Sequence, residues 1–169
     1  YKRQYFALGG KIEMHLSTFA NYASTGSGLR QFPTLCVNDW YEAADNSIQW
    51  RPFHPDSEFR NCIAFGNNAN LTEFSEVILD LWDAEIYVEP LFTASAIHHQ
   101  EKNFPTWMID AQTTVNELPP FVNPALADFR IEGTASQWTG IPSTPEFSTL
   151  EVSVDLLGEP RNTLAPTKG

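Results

Sequence analysis

Residues 74–92, FSEVILDLWDAEIYVEPLF, form the densest apolar run of the chain, yet they carry five acidic groups and no basic one. Two periodicities meet there. Glu73, Glu76, Asp80 and Asp83 recur at steps of three, four and three, with Phe74, Val77, Ile78 and Leu81 between them, as an amphipathic helix requires. From Trp82 the period becomes two: Trp82, Ala84, Ile86 and Val88 alternate with Asp83, Glu85, Tyr87 and Glu89 until Pro90 ends the run. The pattern predicts a helical turn, N-capped by Thr72, feeding directly into a half-buried core strand.

Strand signals dominate the rest. Ile12, Met14 and Leu16 alternate with Lys11, Glu13, His15 and Ser17, a strand with one wet face. Residues 32–40 read as a short strand, 39–46 as a brief helix, and Ile48, Trp50 and Phe53 as another extended piece. A turn is expected at GNNAN (66–70). Residues 104–115 form the second strong strand, with Asp110 near its middle. A short helical piece fits 125–129, a strand follows at 129–131, and Leu150, Val152, Val154 and Leu156 mark the last strand. Twelve prolines along the whole length argue against a helical bundle and for strands joined by stiff loops. Connections between the strong strands run to about 15–30 residues, against the 2–5 of hairpins. The expected architecture is therefore all-β and mainly antiparallel. It is a β-sandwich with Greek-key or jelly-roll wiring and one or two short helices. At 169 residues it is one domain, with 1–8 and 159–169 as extended tails.

Charge and cysteine usage exclude several classes. The net charge is −11, and residues 61–169 hold the whole of it. A surface this acidic repels phosphate, so nucleic acid is expected only through a basic arm outside this sequence. No apolar run reaches the roughly 18 residues of a membrane-spanning helix. Cys36 and Cys62 are expected as buried free thiols rather than a disulfide. The chain starts at Tyr1, as a processed or trimmed product or a part of something longer does.

No catalytic signature stands in the chain: there is no GxSxG elbow, no activated Cys–His pairing and no phosphate loop. No enzyme and no cofactor are expected. Asp80 and Asp110 are the acids nearest to core strands, where a structural role accepting backbone hydrogen bonds is the commoner one. Asp80, Asp83 and Glu85 are the calcium candidates, although a solvated acidic face explains them as well. His98 and His99 would point to opposite faces of a strand, and surface-loop histidines are the default. Trp40, Tyr41, Trp50 and Trp138 lie near turns, where aromatic faces could stack on sugar rings; core packing is the competing role.

The order of elements in LTEFSEVILDLWDAEIYVEPLF, with Val88-Glu89-Pro90 ending a strand, resembles the central helix-then-strand of jelly-roll coat proteins of small icosahedral viruses. The block 105–135 is similar to the next strand, Pro-rich crossing and strand, and 147–162 to the last strand. The likeness covers residues 70–158 in layout. It implies a structural subunit, coat or surface protein of a virion, assembling with copies of itself or related subunits of a shell. The alternative is a secreted, extracellular carbohydrate-binding module whose partner is a glycan held by exposed Trp and Tyr.

Overall fold

The computed structural model describes residues 5–22, 33–66, 75–87, 89–99, 105–132, 136–141, 158–160, 162 and 166–168. The chain winds through them in coils. The first coil contributes β1 (Tyr5–Leu8), β2 (Glu13–His15) and β3 (Thr18–Asn21). The second has β4 (Leu35–Asn38), an excursion through β5 (Trp40–Glu42) and β6 (Ile48–Trp50), then β7 (Glu58–Arg60) and β8 (Ile63–Gly66). The third has β9 (Val77–Asp80), β10 (Phe92–Thr93) and β11 (Ala96–Ile97), and a partial fourth ends in β12 (Thr114–Val115). Corresponding strands pair in parallel to give three sheets, ordered β1-β4-β9, β10-β7-β2 and β12-β11-β8-β3. This is a parallel β-solenoid, with antiparallel pairing confined to two hairpins: β5–β6, and β13 (Phe121–Asn123) with β14 (Asp128–Ile131).

The expected antiparallel sandwich with jelly-roll wiring is thereby corrected. Long connections between strands were its main support. A parallel pair needs the same length, because the chain must travel a full circuit before it lies beside itself again. Alternation within a strand is identical in the two cases.

Each interior position repeats from coil to coil. Tyr5, Leu35 and Val77 share one register, Ala7, Val37 and Leu79 a second, Met14, Phe59 and Phe92 a third. Phe19, Ala64, Ile97 and Val115 form the fourth. Phe59 and Phe92 stack at 5.1 Å, and Tyr5 and Phe19 meet Phe59 nearly edge-on. Burying each such ring contributes roughly 1.5–3 kcal/mol. The third sheet is covered on its outer face as well: Ile63, Phe65 and Ala96 pack under Phe121, Trp138, Phe129 and Tyr22. A parallel strand buried on both sides reads as a continuous apolar run, which is what CIAF is.

One left-handed residue turns each corner between the second and third sheets: Leu16 (φ 51), Asn61 (φ 54) and Ala94 (φ 45). The residues after Asn61 and Ala94, and Thr113 at the matching place in the fourth coil, reach back across the coils. Cys62 Sγ donates to Met14 O, Ser95 Oγ to Phe59 O at 2.9 Å, and Thr113 Oγ1 to Phe92 O at 3.0 Å. Cys62 N and Ser95 N in turn donate to the Ser95 and Thr113 hydroxyls. The corner is thus a polar ladder in which every rung satisfies a backbone group of the neighbouring coil.

Several local expectations change. Val77–Asp80 is strand, not helix, and the half-strand expected from Trp82 is a loop with a 3-10 turn at Ala84–Ile86, capped by Asp83. Val77 is fully buried inside the solenoid, and so is Glu76, which accepts from the Thr34 hydroxyl, so the acids do not share one wet face. Residues 39–46 form a hairpin strand and turn instead of a helix. Within 104–115, a 3-10 turn at Thr106–Met108 and a turn at 110–113 leave only Thr114–Val115 as strand. The piece expected as helical at 125–129 is a 3-10 turn, Pro124–Leu126, followed by β14. Residues 5–8 are a paired strand, and Pro166 and Lys168 are buried, so neither terminal stretch is wholly a tail. Thr72, residues 67–70 and the strand expected at 150–156 lie outside the described residues.

Candidate functional site

In two successive coils, the corner between the first and second sheets is enlarged. In the second coil the chain leaves β4 and makes the β5–β6 hairpin, whose register sets Trp40 opposite Trp50. Its turn is built by Asp45, which accepts from Ser47 N at 3.0 Å and Ser47 Oγ at 2.6 Å, with Asn46 left-handed at φ 62. These bonds from Ser47 hold the Asp45 carboxyl below its ordinary range. In the third coil the corresponding corner is the loop 81–91.

Asp39 ties the two together. Its carboxylate is fully buried and accepts from Trp82 N at 2.6 Å, from the Tyr87 hydroxyl at 2.7 Å and from Trp50 Nε1 at 3.4 Å. The Tyr87 hydroxyl accepts from Phe53 N at 3.2 Å, and its pKa is raised, first by burial and then by its bond to Asp39. Asp80, at the end of β9, accepts from Trp40 Nε1 at 3.2 Å and from Asn38 at 3.3 Å. Trp40 and Trp82 meet edge-on at 6.4 Å. The result is a fixed aromatic surface rather than a loose one. Trp50 is 51% exposed and Trp82 60%, for a residue type that is usually well buried.

Beside it opens a pocket of about 240 Å³, lined by buried Phe53, Ser57, Leu91 and Met108 and half-buried Tyr87 and Trp107, with exposed His54, Pro55, Ile86 and Glu89 around its mouth. Tyr87 and Trp107 stack at 6.0 Å and 19°, and Phe53 tilts against Tyr87. Pro55, Ser57 and Glu89 also line a shallow groove of about 740 Å³ over the outer face of the second sheet. Arg60 Nε donates to both Glu58 oxygens at 3.1 and 3.0 Å there, and His15 Nε2 lies 3.1 Å from Glu58 Oε1. Burial alone would raise the Glu58 carboxyl; His15 and Arg60 outweigh it and hold it below its ordinary value.

Of the residues expected to stack on sugars, Trp40 and Trp50 come together on one face of the hairpin. Tyr41 alternates with Trp40 along the strand and pairs with Gln49 on the other face. Trp138 is corrected: it is 4% exposed and packs on the third sheet. Sequence reasoning missed Asp39, Trp82, Tyr87 and Trp107. Trp82 and Tyr87 were assigned to opposite faces of a strand that does not form.

The calcium candidates have separate tasks. Asp80 holds Trp40, Asp83 caps the turn by accepting from Glu85 N, and Glu85 is exposed. No group of three or more His, Cys, Asp or Glu that could hold a metal occurs among the described residues. Asp80 and Asp110 are not brought together. Asp110 Oδ1 accepts from Ala94 N, Gln112 N and the Thr113 hydroxyl and so builds the last corner. His98 and His99 are buried at the end of β11 rather than in a surface loop, with His99 Nδ1 2.7 Å from Val77 O. Both cysteines are free thiols, Cys62 buried and Cys36 half-buried on β4. No helix among the described residues is long and apolar enough to cross a membrane. Comparison with protein-family models, with curated proteins and with solved structures found no match for the chain.

Proposed function

We propose that this chain is a glycan-binding β-solenoid whose ligand stacks on Trp50 and Trp82 at the corner between its first two sheets. The observation that carries the proposal is the exposure of Trp50 and Trp82 at one corner, where buried Asp39 accepts from the Trp50 indole and from the Trp82 backbone amide. Pyranose rings have apolar faces that stack on flat aromatics, and a rigid platform spares the ordering cost that a mobile one incurs on binding. The net charge of −11 repels polyanions, so the ligand class is a neutral glycan. Binding to an array of neutral glycans, followed by titration calorimetry, tests this. Trp50→Ala and Trp82→Ala are each expected to weaken binding about tenfold, near 1.4 kcal/mol. Absence of binding to any neutral glycan, or binding indifferent to both substitutions, overturns the proposal.

A second proposal is assembly with copies of the chain or related subunits. Among the described residues no strand pairs with the outer edges of β1, β2 and β3, and Tyr5, Met14 and Phe19 above the core are half-buried. A further layer of strands stacked on that end would bury those side chains. Sedimentation at high protein concentration decides this: a strict monomer removes it.

A further inference from the structure

The pocket beside the tryptophans does what a flat platform cannot, which is to limit the size and chemistry of its occupant. Resting on the glycan-binding proposal above, we infer that it is the subsite for a single chain-end sugar, a 6-deoxyhexose with its methyl group inward and its hydroxyls at the mouth. Three observations lead there. A volume of about 240 Å³ lies below the roughly 300–1,000 Å³ of sites for drug-sized ligands, so it takes one six-membered ring and not two.

The floor is closed and apolar: Phe53, Leu91 and Met108 are 6%, 4% and 1% exposed. The polar atoms near that floor are already committed. The Tyr87 hydroxyl is bonded to Asp39 and Phe53 N, and the Ser57 hydroxyl donates to Gly10 O and accepts from Ile12 N. A hydroxymethyl group placed there would lose its water without replacement, whereas a methyl group loses nothing.

The mouth, in contrast, is polar. His54 Nδ1 faces Asp56, 3.2 Å from its backbone N and 3.4 Å from Oδ2, which leaves Nε2 as a donor, and Glu89 is an exposed carboxylate. One donor and one strong acceptor suit the ring hydroxyls of a sugar seated with its apolar end down. Enclosure on the floor side means that only the end of a chain can enter, the remainder running out over Ile86 toward Trp82 or along the groove.

Calorimetry with two neutral oligosaccharides, identical except for a terminal 6-deoxyhexose or its 6-hydroxy counterpart, tests the inference on the full chain. The deoxy-terminated ligand is expected to bind about tenfold more tightly. Ile86→Trp, at an exposed position, should block the mouth and erase that preference while binding to the platform persists. Glu89→Gln should weaken the deoxy-terminated ligand severalfold. Equal affinity for the two ligands, or a preference unchanged in Ile86→Trp, overturns the pocket assignment even where Trp50→Ala and Trp82→Ala still weaken binding. A preference retained in both tryptophan variants with affinity also unchanged instead sustains the pocket and removes the platform.

Discussion

Asp39 carries more of the site than any exposed residue does. A buried carboxylate that accepts from one backbone amide and two side chains is stable only while all of them stay in place. Asp39→Ala leaves the Tyr87 hydroxyl and Trp82 N without their acceptor, each orphaned group costing about 1–3 kcal/mol. A lower urea midpoint together with loss of glycan affinity is the expected outcome; a stable variant with unchanged affinity would contradict the role. Asp39 was invisible as a site residue because nothing in VNDWYEA distinguishes a buried acceptor from a turn aspartate. Trp40 and Trp50 were legible for the opposite reason: indoles next to polar turn residues are informative wherever they end up.

The corner ladder makes a prediction about one element. Cys62 occupies the position that Ser95 and Thr113 fill in the following coils, so Cys62→Ser retains the bond to Met14 O and should cost about 1 kcal/mol or less. Its effect appears at high pH. Burial pushes the Cys62 thiol from 9.0 up to about 12. Between those values the unfolded chain loses a proton that the folded chain keeps, and stability falls by about 1.4 kcal/mol per pH unit for this group. Denaturation followed from pH 8 to 11 should therefore show a shallower decline for Cys62→Ser than for the parent. A residual decline belongs to the other groups whose folded pKa is raised: Tyr22, to about 12 by burial and by Glu76, Tyr87, by burial and its bond to Asp39, and Cys36, by burial and by Asp80. Element by element, β2, β4, β6 and β14 lay where alternation placed them. β9 did not, because a four-residue strand offers too few positions to separate a period of two from one of 3.6.

At the scale of the whole molecule, contacts run between neighbouring coils, so stability is distributed as in a stack. β8 sits inside the third sheet with all four residues buried and both faces covered, whereas β12 lies at that sheet's margin. Native-state hydrogen exchange should find the slowest amides in β8 and markedly faster ones in β12. Uniform protection across the sheet would argue against independent coils. This stacking was hidden in the sequence because the coils differ in length. Met14, Phe59 and Phe92 share one register at unequal intervals, so no repeat period announces it, and a long crossing looks the same whether the strand it reaches is parallel or antiparallel.

Those unequal lengths separate what the scaffold requires from what it merely carries. The register of β4 on β9 and of β7 on β10 is set by the interior residues, while the hairpin 40–50 and the loop 81–91 leave from one corner and return to it. Both are cassettes on an invariant spool. Exchange of that pair for loops of other length and composition would change the ligand without altering the winding, as long as the buried acceptor that clasps one cassette to the other is exchanged with them.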